Sequence, residues 1–139
     1  MLYIGHGGAE KYFSEKDIKQ FGPIKTAVIL IGCASARQYK QEKYKRLTEL
    51  NGVSADYLKA KSPFLMGNLW SVTDKDIDKI TRKVLNEIIL FVNGDKKYRE
   101  RNFDLGHVIH MAKWNCHFKF LNGSAVTTYG TWIKNSLEV

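Results

Sequence analysis

Cys33 and His6 are the side chains of this sequence whose types and settings suit covalent chemistry. Cys33 follows an unbroken apolar run, Ala27 to Ile31, and Gly32, and it precedes the small residues Ala34, Ser35 and Ala36. His6 follows the shorter apolar run Leu2-Tyr3-Ile4 and Gly5, and it precedes Gly7 and Gly8. A cysteine attacks as its thiolate, and an imidazole both generates the thiolate and later protonates a departing amine. The pair therefore suits attack on a peptide carbonyl. The tetrahedral oxyanion then needs N–H donors, and Gly7 with the backbone N–H of Cys33 is the natural set, because glycine lets backbone approach a carbonyl closely. A free cysteine is equally a small buried hydrophobe and a distant histidine a structural one, so composition alone leaves both readings open.

Three further groupings invite chemistry. Asp74, Asp76 and Asp78 crowd the start of a predicted helix. They suit capping and the helix dipole; alternatively Asp74, just past a third apolar run, forms a pocket for an arginine or lysine side chain with Trp70 as its wall. His107, His110, Cys116 and His117 lie near one another in sequence, but their spacing matches no defensible zinc pattern. Gly5-His6-Gly7-Gly8 lacks the lysine and hydroxyl residue of a phosphate-binding loop. No metal and no cofactor is called for.

Both chemistry-bearing loops need a scaffold that ends them on one edge. An apolar run bounded by Pro23 and Gly32 suits a strand buried on both faces of a parallel sheet. Leu2–Ile4 has the same design, and two parallel neighbours bring His6 and Cys33 side by side at their carboxyl ends, where open α/β sheets place ligands. Phe64 to Trp70 reads as a third buried strand. Ser14 caps a short helix ending at Phe21 before Gly22-Pro23. Ser54 to Ala60 fits another short helix. The clearest helix starts after Thr73 as N-cap and carries Ile77, Ile80, Val84, Leu85, Ile88 and Phe91 on one stripe before Asn93-Gly94. Residues 37–50 read as a loop that carries helix at most, 96–102 as a charged linker, and 103–115 as a further helix. Residues 117–121 and 125–129 read as short strands about the Asn122-Gly123 turn, with Leu121-Asn122-Gly123-Ser124 alternatively an irregular loop. Strands alternating with helices argue for an α/β fold.

The chain has 139 residues, enough for one domain. With 44% hydrophobic and 26% charged residues it is globular in composition rather than disordered. No run is long enough to span a membrane and no leader is evident, so no membrane association is expected. Two widely spaced cysteines make no disulfide framework and favour a reducing compartment. The charge of +8 is compatible with a DNA contact through a basic surface, yet the lysines and arginines are scattered among acids, as on an ordinary solvated face.

Tyr3-Ile4-Gly5-His6-Gly7, Ile31-Gly32-Cys33-Ala34-Ser35, and the string from Gly67-Asn68-Leu69-Trp70 through Ser71-Val72-Thr73-Asp74-Lys75-Asp76-Ile77-Asp78 together resemble the protease domain of separase. Phe120 to Ala125 with Tyr129-Gly130 resembles its closing segment. The resemblance runs over nearly the whole chain, so that 1–139 is expected to be the C-terminal portion of a separase-like catalytic domain. It implies a caspase-like α/β fold, a mostly parallel sheet flanked by helices, here expected to lack its first strands. It implies a His6–Cys33 dyad and endopeptidase cleavage after arginine in the kleisin subunit of cohesin, releasing sister chromatids at anaphase. Asp74 would serve the arginine pocket and a securin-like protein would inhibit. Nucleus and cytoplasm are the expected locations. The family pattern G-H-G-x-G-E has Ala9 here at its last glycine, the first of two serines after the cysteine is Ala34, and Ser71 stands where an acid is common. The rival expectation is an inactive separase-like fragment that only binds a partner.

Overall fold

The computed structural model describes residues 1–40, 50–99 and 103–130. Four strands make its main sheet: β1 (Leu2–Ile4), β2 (Val28–Ile31), β5 (Phe64–Asn68) and β6 (Val126–Gly130), in that spatial order. β1, β2 and β5 are parallel, with Ile4 opposite Ile31 and Ile29 opposite Met66, and β6 is antiparallel to β5. Two short strands, β3 (Tyr39–Lys40) and β4 (Leu50–Asn51), pair antiparallel apart from this sheet.

The apolar run of β2 is unbroken because both of its faces are covered. Ile29 and Ile31 point to one layer with Phe64 and Met66, against α3 (Asp74–Val92) and α5 (Leu105–Ala112). Val28, Leu30 and Leu65 point to the other, against α1 (Glu15–Gln20) and α2 (Val53–Lys59) through Ile18, Val53 and Tyr57. Each fully covered aliphatic side chain contributes roughly 1.5–3 kcal/mol. Of the predicted α3 stripe, Ile77, Ile80 and Val84 are buried and Ile88 and Phe91 pack against them partly covered, while Leu85 stays outside the core. α1 has its capping box, Ser14 and Asp17 satisfying each other's backbone N–H groups. The result is the α/β sandwich that the alternation of strands and helices predicts, a mostly parallel sheet between helical layers.

Several elements differ from expectation. The ends of the 37–50 stretch form the β3–β4 pair rather than plain loop, while 41–49 lie outside the described residues. The charged linker begins with a helical turn, α4 (Lys96–Arg99), because Tyr98 joins Phe91 and Phe103 in an aromatic cluster; 100–102 lie outside the described residues. No strand forms over 117–121: that segment turns back on itself, with the N–H groups of Leu121 and Asn122 donating to the Phe118 carbonyl, so β6 pairs with β5 instead of closing a hairpin. α5 stops at Ala112 and passes into one 3-10 turn, Lys113–Asn115. Thr73 precedes α3 as expected, but its hydroxyl makes no cap and accepts from the Asn122 amide instead, 3.0 Å away.

Candidate active site

β1 and β2 run in register, so His6 and Cys33 each lie two residues beyond the paired Ile4 and Ile31. The ladder continues one step past the strands, with the Gly5 N–H donating to the Ile31 carbonyl at 3.0 Å. Beyond that the Gly5–Gly7 loop lies directly on Gly32. A Cβ at position 32 would fall 2.2 Å from the Gly7 oxygen and 2.6 Å from the Gly5 oxygen. The missing side chain of Gly32 is therefore what lets the loop carrying His6 settle against the backbone next to Cys33. Gly7 has φ +65, and the N–H of Gly8 donates to the Glu10 carboxylate at 2.9 Å, which fixes the far side of the loop. Ala9 has φ +75 and is buried, a left-handed backbone that favours glycine over the alanine found here.

The cysteine loop is wired to the end of β5. Cys33 is half-buried and its Sγ–H lies 3.2 Å from the Val72 carbonyl. The Ala34 N–H donates to the Trp70 carbonyl, the Ala36 N–H to that of Asn68. Ser35, fully enclosed, donates from Oγ to the Leu30 carbonyl and accepts from the Asn68 N–H at 3.0 Å. The buried Asn68 amide donates to the Gly32 carbonyl at 3.0 Å. Ala34 is held at φ +52, so the turn after the sulfur is a sharp one in left-handed conformation. Ser35 and Asn68 were not singled out from sequence as site residues. The signal that could have found them is their polarity within otherwise apolar, buried strand ends.

Asp74 is exposed on the first turn of α3, two residues past the carbonyl that meets the Cys33 sulfur. Trp70 is partly exposed beside the same strand end, and its indole N–H donates to the Leu121 carbonyl at 3.2 Å. Asp76 differs from its neighbours. It has no solvent exposure, and its carboxylate accepts from the His117 N–H at 2.6 Å, the Phe118 N–H at 3.1 Å and the Asn122 amide at 2.8 Å. Burial pushes its carboxyl upward, and the His117, Asn122 and Phe118 donors outweigh that and hold it below the usual carboxylate range. Asp76 is thus a brace between α3 and the segment leading to β6. Cys116 is buried, and burial pushes its thiol up, away from reactivity. His107, His110 and His117 form no metal-binding group with it among the described residues.

With this geometry in view, the comparisons with known proteins are specific. Residues 1–77 match the family model for the separin protease domain. The separin of Saccharomyces cerevisiae is 36% identical over 133 residues, which is 96% of this chain and 8% of that protein. The separin of Schizosaccharomyces pombe is 36% identical over 129 residues, 93% of this chain and 7% of that protein. The crystal structure of the Saccharomyces cerevisiae separase–securin complex at 2.6 Å resembles the fold with a TM-score of 0.75 at 32% identity, covering 93% of this chain and 8% of that one. The chain therefore spans less than a tenth of the length of these relatives. By the match over residues 1–77 and the 36% identity to these separins across more than nine-tenths of its length, the chain belongs to the separin protease-domain family.

Proposed function

We propose that the chain carries the catalytic dyad of a separase-type cysteine endopeptidase, with Cys33 as nucleophile and His6 as its base and acid. The Cys33 thiolate adds to the carbonyl carbon of the scissile bond. The oxyanion is held by the N–H groups of Gly7 and Cys33. Collapse breaks the C–N bond, the amine leaves with a proton from His6, and a thioester remains on Cys33. Water, deprotonated by His6, then releases the acid and restores the thiol. The observation that carries this is the packing of the Gly5–Gly7 loop on Gly32, which requires the histidine and cysteine loops to share one sheet edge.

The finer proposal is cleavage after arginine in a cohesin kleisin, with the exposed carboxylate of Asp74 pairing the guanidinium and Trp70 walling its stem. A securin-like protein is the proposed inhibitor, since a solved relative is a separase–securin complex. Nucleus and cytoplasm are the proposed sites of action. Net charge is all that favours a DNA contact, and no DNA step enters the proposal.

A fluorogenic arginyl peptide with kleisin-derived sequence tests the chemistry. Cys33→Ser and His6→Ala are each expected to abolish turnover, and normal turnover by either variant rejects the dyad. Asp74→Asn is expected to reduce the preference for arginine over a neutral residue at least tenfold, about 1.4 kcal/mol of transition-state discrimination. Labelling of Cys33 by an arginyl acyloxymethyl ketone separates this proposal from a fragment that only binds a partner.

A further inference from the structure

The segment after α5 displays large apolar side chains to solvent: Phe120 is 81% exposed, Leu121 60%, Phe118 50% and Trp114 44%. Trp114 and Phe120 meet edge to face, with ring centroids 6.1 Å apart. Contiguous exposed apolar surface of this kind marks an interaction site in a soluble domain. The display is also held rigidly. The buried carboxylate of Asp76 takes the backbone N–H groups of His117 and Phe118, and Asn122 bonds both Asp76 and the Phe118 carbonyl. A wholly buried charge is spent on fixing a loop whose own aromatic rings face outward. A surface fixed in advance binds without the entropic cost of ordering it.

The charged groups that stack on the Trp114 ring are both cationic. The ammonium groups of Lys113 and Lys119 lie 5.4 and 5.8 Å from the Trp114 ring centre. The sequence from His110 to Leu121 contains no aspartate or glutamate. Asp76, beneath it, is already engaged by its donors. An apolar centre with a cationic rim is complementary to an acidic polypeptide with bulky apolar side chains.

We propose that Trp114, Phe118, Phe120 and Leu121, rimmed by Lys113 and Lys119, form a docking surface for an acidic segment of a partner protein, whose aromatic or aliphatic side chain packs on the Trp114–Phe120 pair while its carboxylates meet the two lysines. This binding is independent of the Cys33 thiol and of proteolysis.

Fluorescence anisotropy of a dye-labelled peptide that alternates glutamate with phenylalanine and leucine tests it, using the full chain. Saturable binding that weakens with salt is expected. Phe120→Ala and Lys119→Glu change exposed side chains only, and each is expected to weaken binding about tenfold or more with the circular dichroism unchanged. Cys33→Ser is expected to bind as the unaltered chain does, which keeps this test apart from that of the protease proposal. The proposal is overturned by lack of saturation, by equal binding of the peptide with lysine in place of glutamate, or by affinity unchanged in both variants. It is equally overturned if light scattering finds a dimer that Phe120→Asp dissolves, because the occupant is then a second copy of the chain.

Discussion

Asp74 and Asp76 stand two residues apart on the first turn of α3, where one is exposed and the other has no exposure at all. Successive side chains on a helix turn by about 100°, so an i, i+2 pair points in nearly opposite directions. The sequence shows three acids in a row of alternating positions, and all three suit the dipole; which one turns inward depends on what packs against the helix. Here the 116–122 segment does, and it presents two backbone N–H groups and an amide that only a carboxylate at position 76 satisfies together. Asp76→Ala leaves those donors buried and unpaired, at about 1–3 kcal/mol for such groups. The unfolding free energy is expected to fall by about 3 kcal/mol, whereas Asp74→Ala stays within about 0.5 kcal/mol, as surface changes do. Urea unfolding of the two variants checks this. Equal stabilities would mean that Asp76 is not the brace.

β1, β2 and β5 act as three parallel arms whose ends carry the two candidate catalytic loops and the start of α3. Their existence was legible from the apolar runs, and so was the burial of β2 and β5, while Ser14 and Gly22-Pro23 punctuate α1 clearly. β1, expected to share the design of β2, instead lies at the sheet edge with Leu2 and Ile4 exposed, because among the described residues it has a neighbouring strand on one side only. The loop wiring was not legible. Nothing in the spacing shows that the Asn68 amide reaches the Gly32 carbonyl, or that Ser35 closes on Leu30, because those bonds join residues far apart in sequence. The 117–121 segment misled for a related reason: alternating aromatic and polar residues imitate a strand, yet here the aromatics face water and the backbone bonds locally. Placing His6 and Cys33 on one edge was legible from the two strand ends, while the contact that enforces it, Gly5–Gly7 on Gly32, needed coordinates. Gly32→Ala tests that contact. A methyl group cannot occupy a point 2.2 Å from a carbonyl oxygen, and the obstructing atoms are backbone. The loop must lift, which is expected to cost about 1–3 kcal/mol, as overpacking does. Faster hydrogen exchange at the Gly5 amide should accompany it, since that N–H is bonded to Ile31. An unaltered Gly5 exchange rate in a folded variant would show that the loop is positioned by something else.

For the molecule as a whole, pH reports how the helical layer is pinned. Glu87 is buried on α3 and accepts from Lys83 and Lys97, each at 2.6 Å, and from the Tyr98 hydroxyl. It thereby fastens α4 to α3 beside the Phe91–Phe103 stack. Burial pushes its carboxyl up, but the bonds from Lys83, Lys97 and Tyr98 win and hold it at about 2, against 4.5 for an ordinary glutamate. A carboxyl whose folded pKa is depressed stabilises the fold above its unfolded value, and that contribution drains away as pH falls through 4.5 towards 2. The shift corresponds to a few kcal/mol, at most about 3, since the lysine partners are half in solvent. Asp76 is shifted in the same direction, so both braces fail in acid together. The partner of the first brace sets the other limit: the bond to Glu87 holds the Lys97 ammonium above its ordinary value, a contribution present below 10.5 and lost as pH rises through the folded pKa. Glu87→Gln removes both dependences. Its deficit relative to the unaltered chain is expected to be largest near neutrality and to shrink as pH falls below 4.5. Urea midpoints measured across that range check it, and a deficit independent of pH would show that Glu87 acts through packing rather than charge.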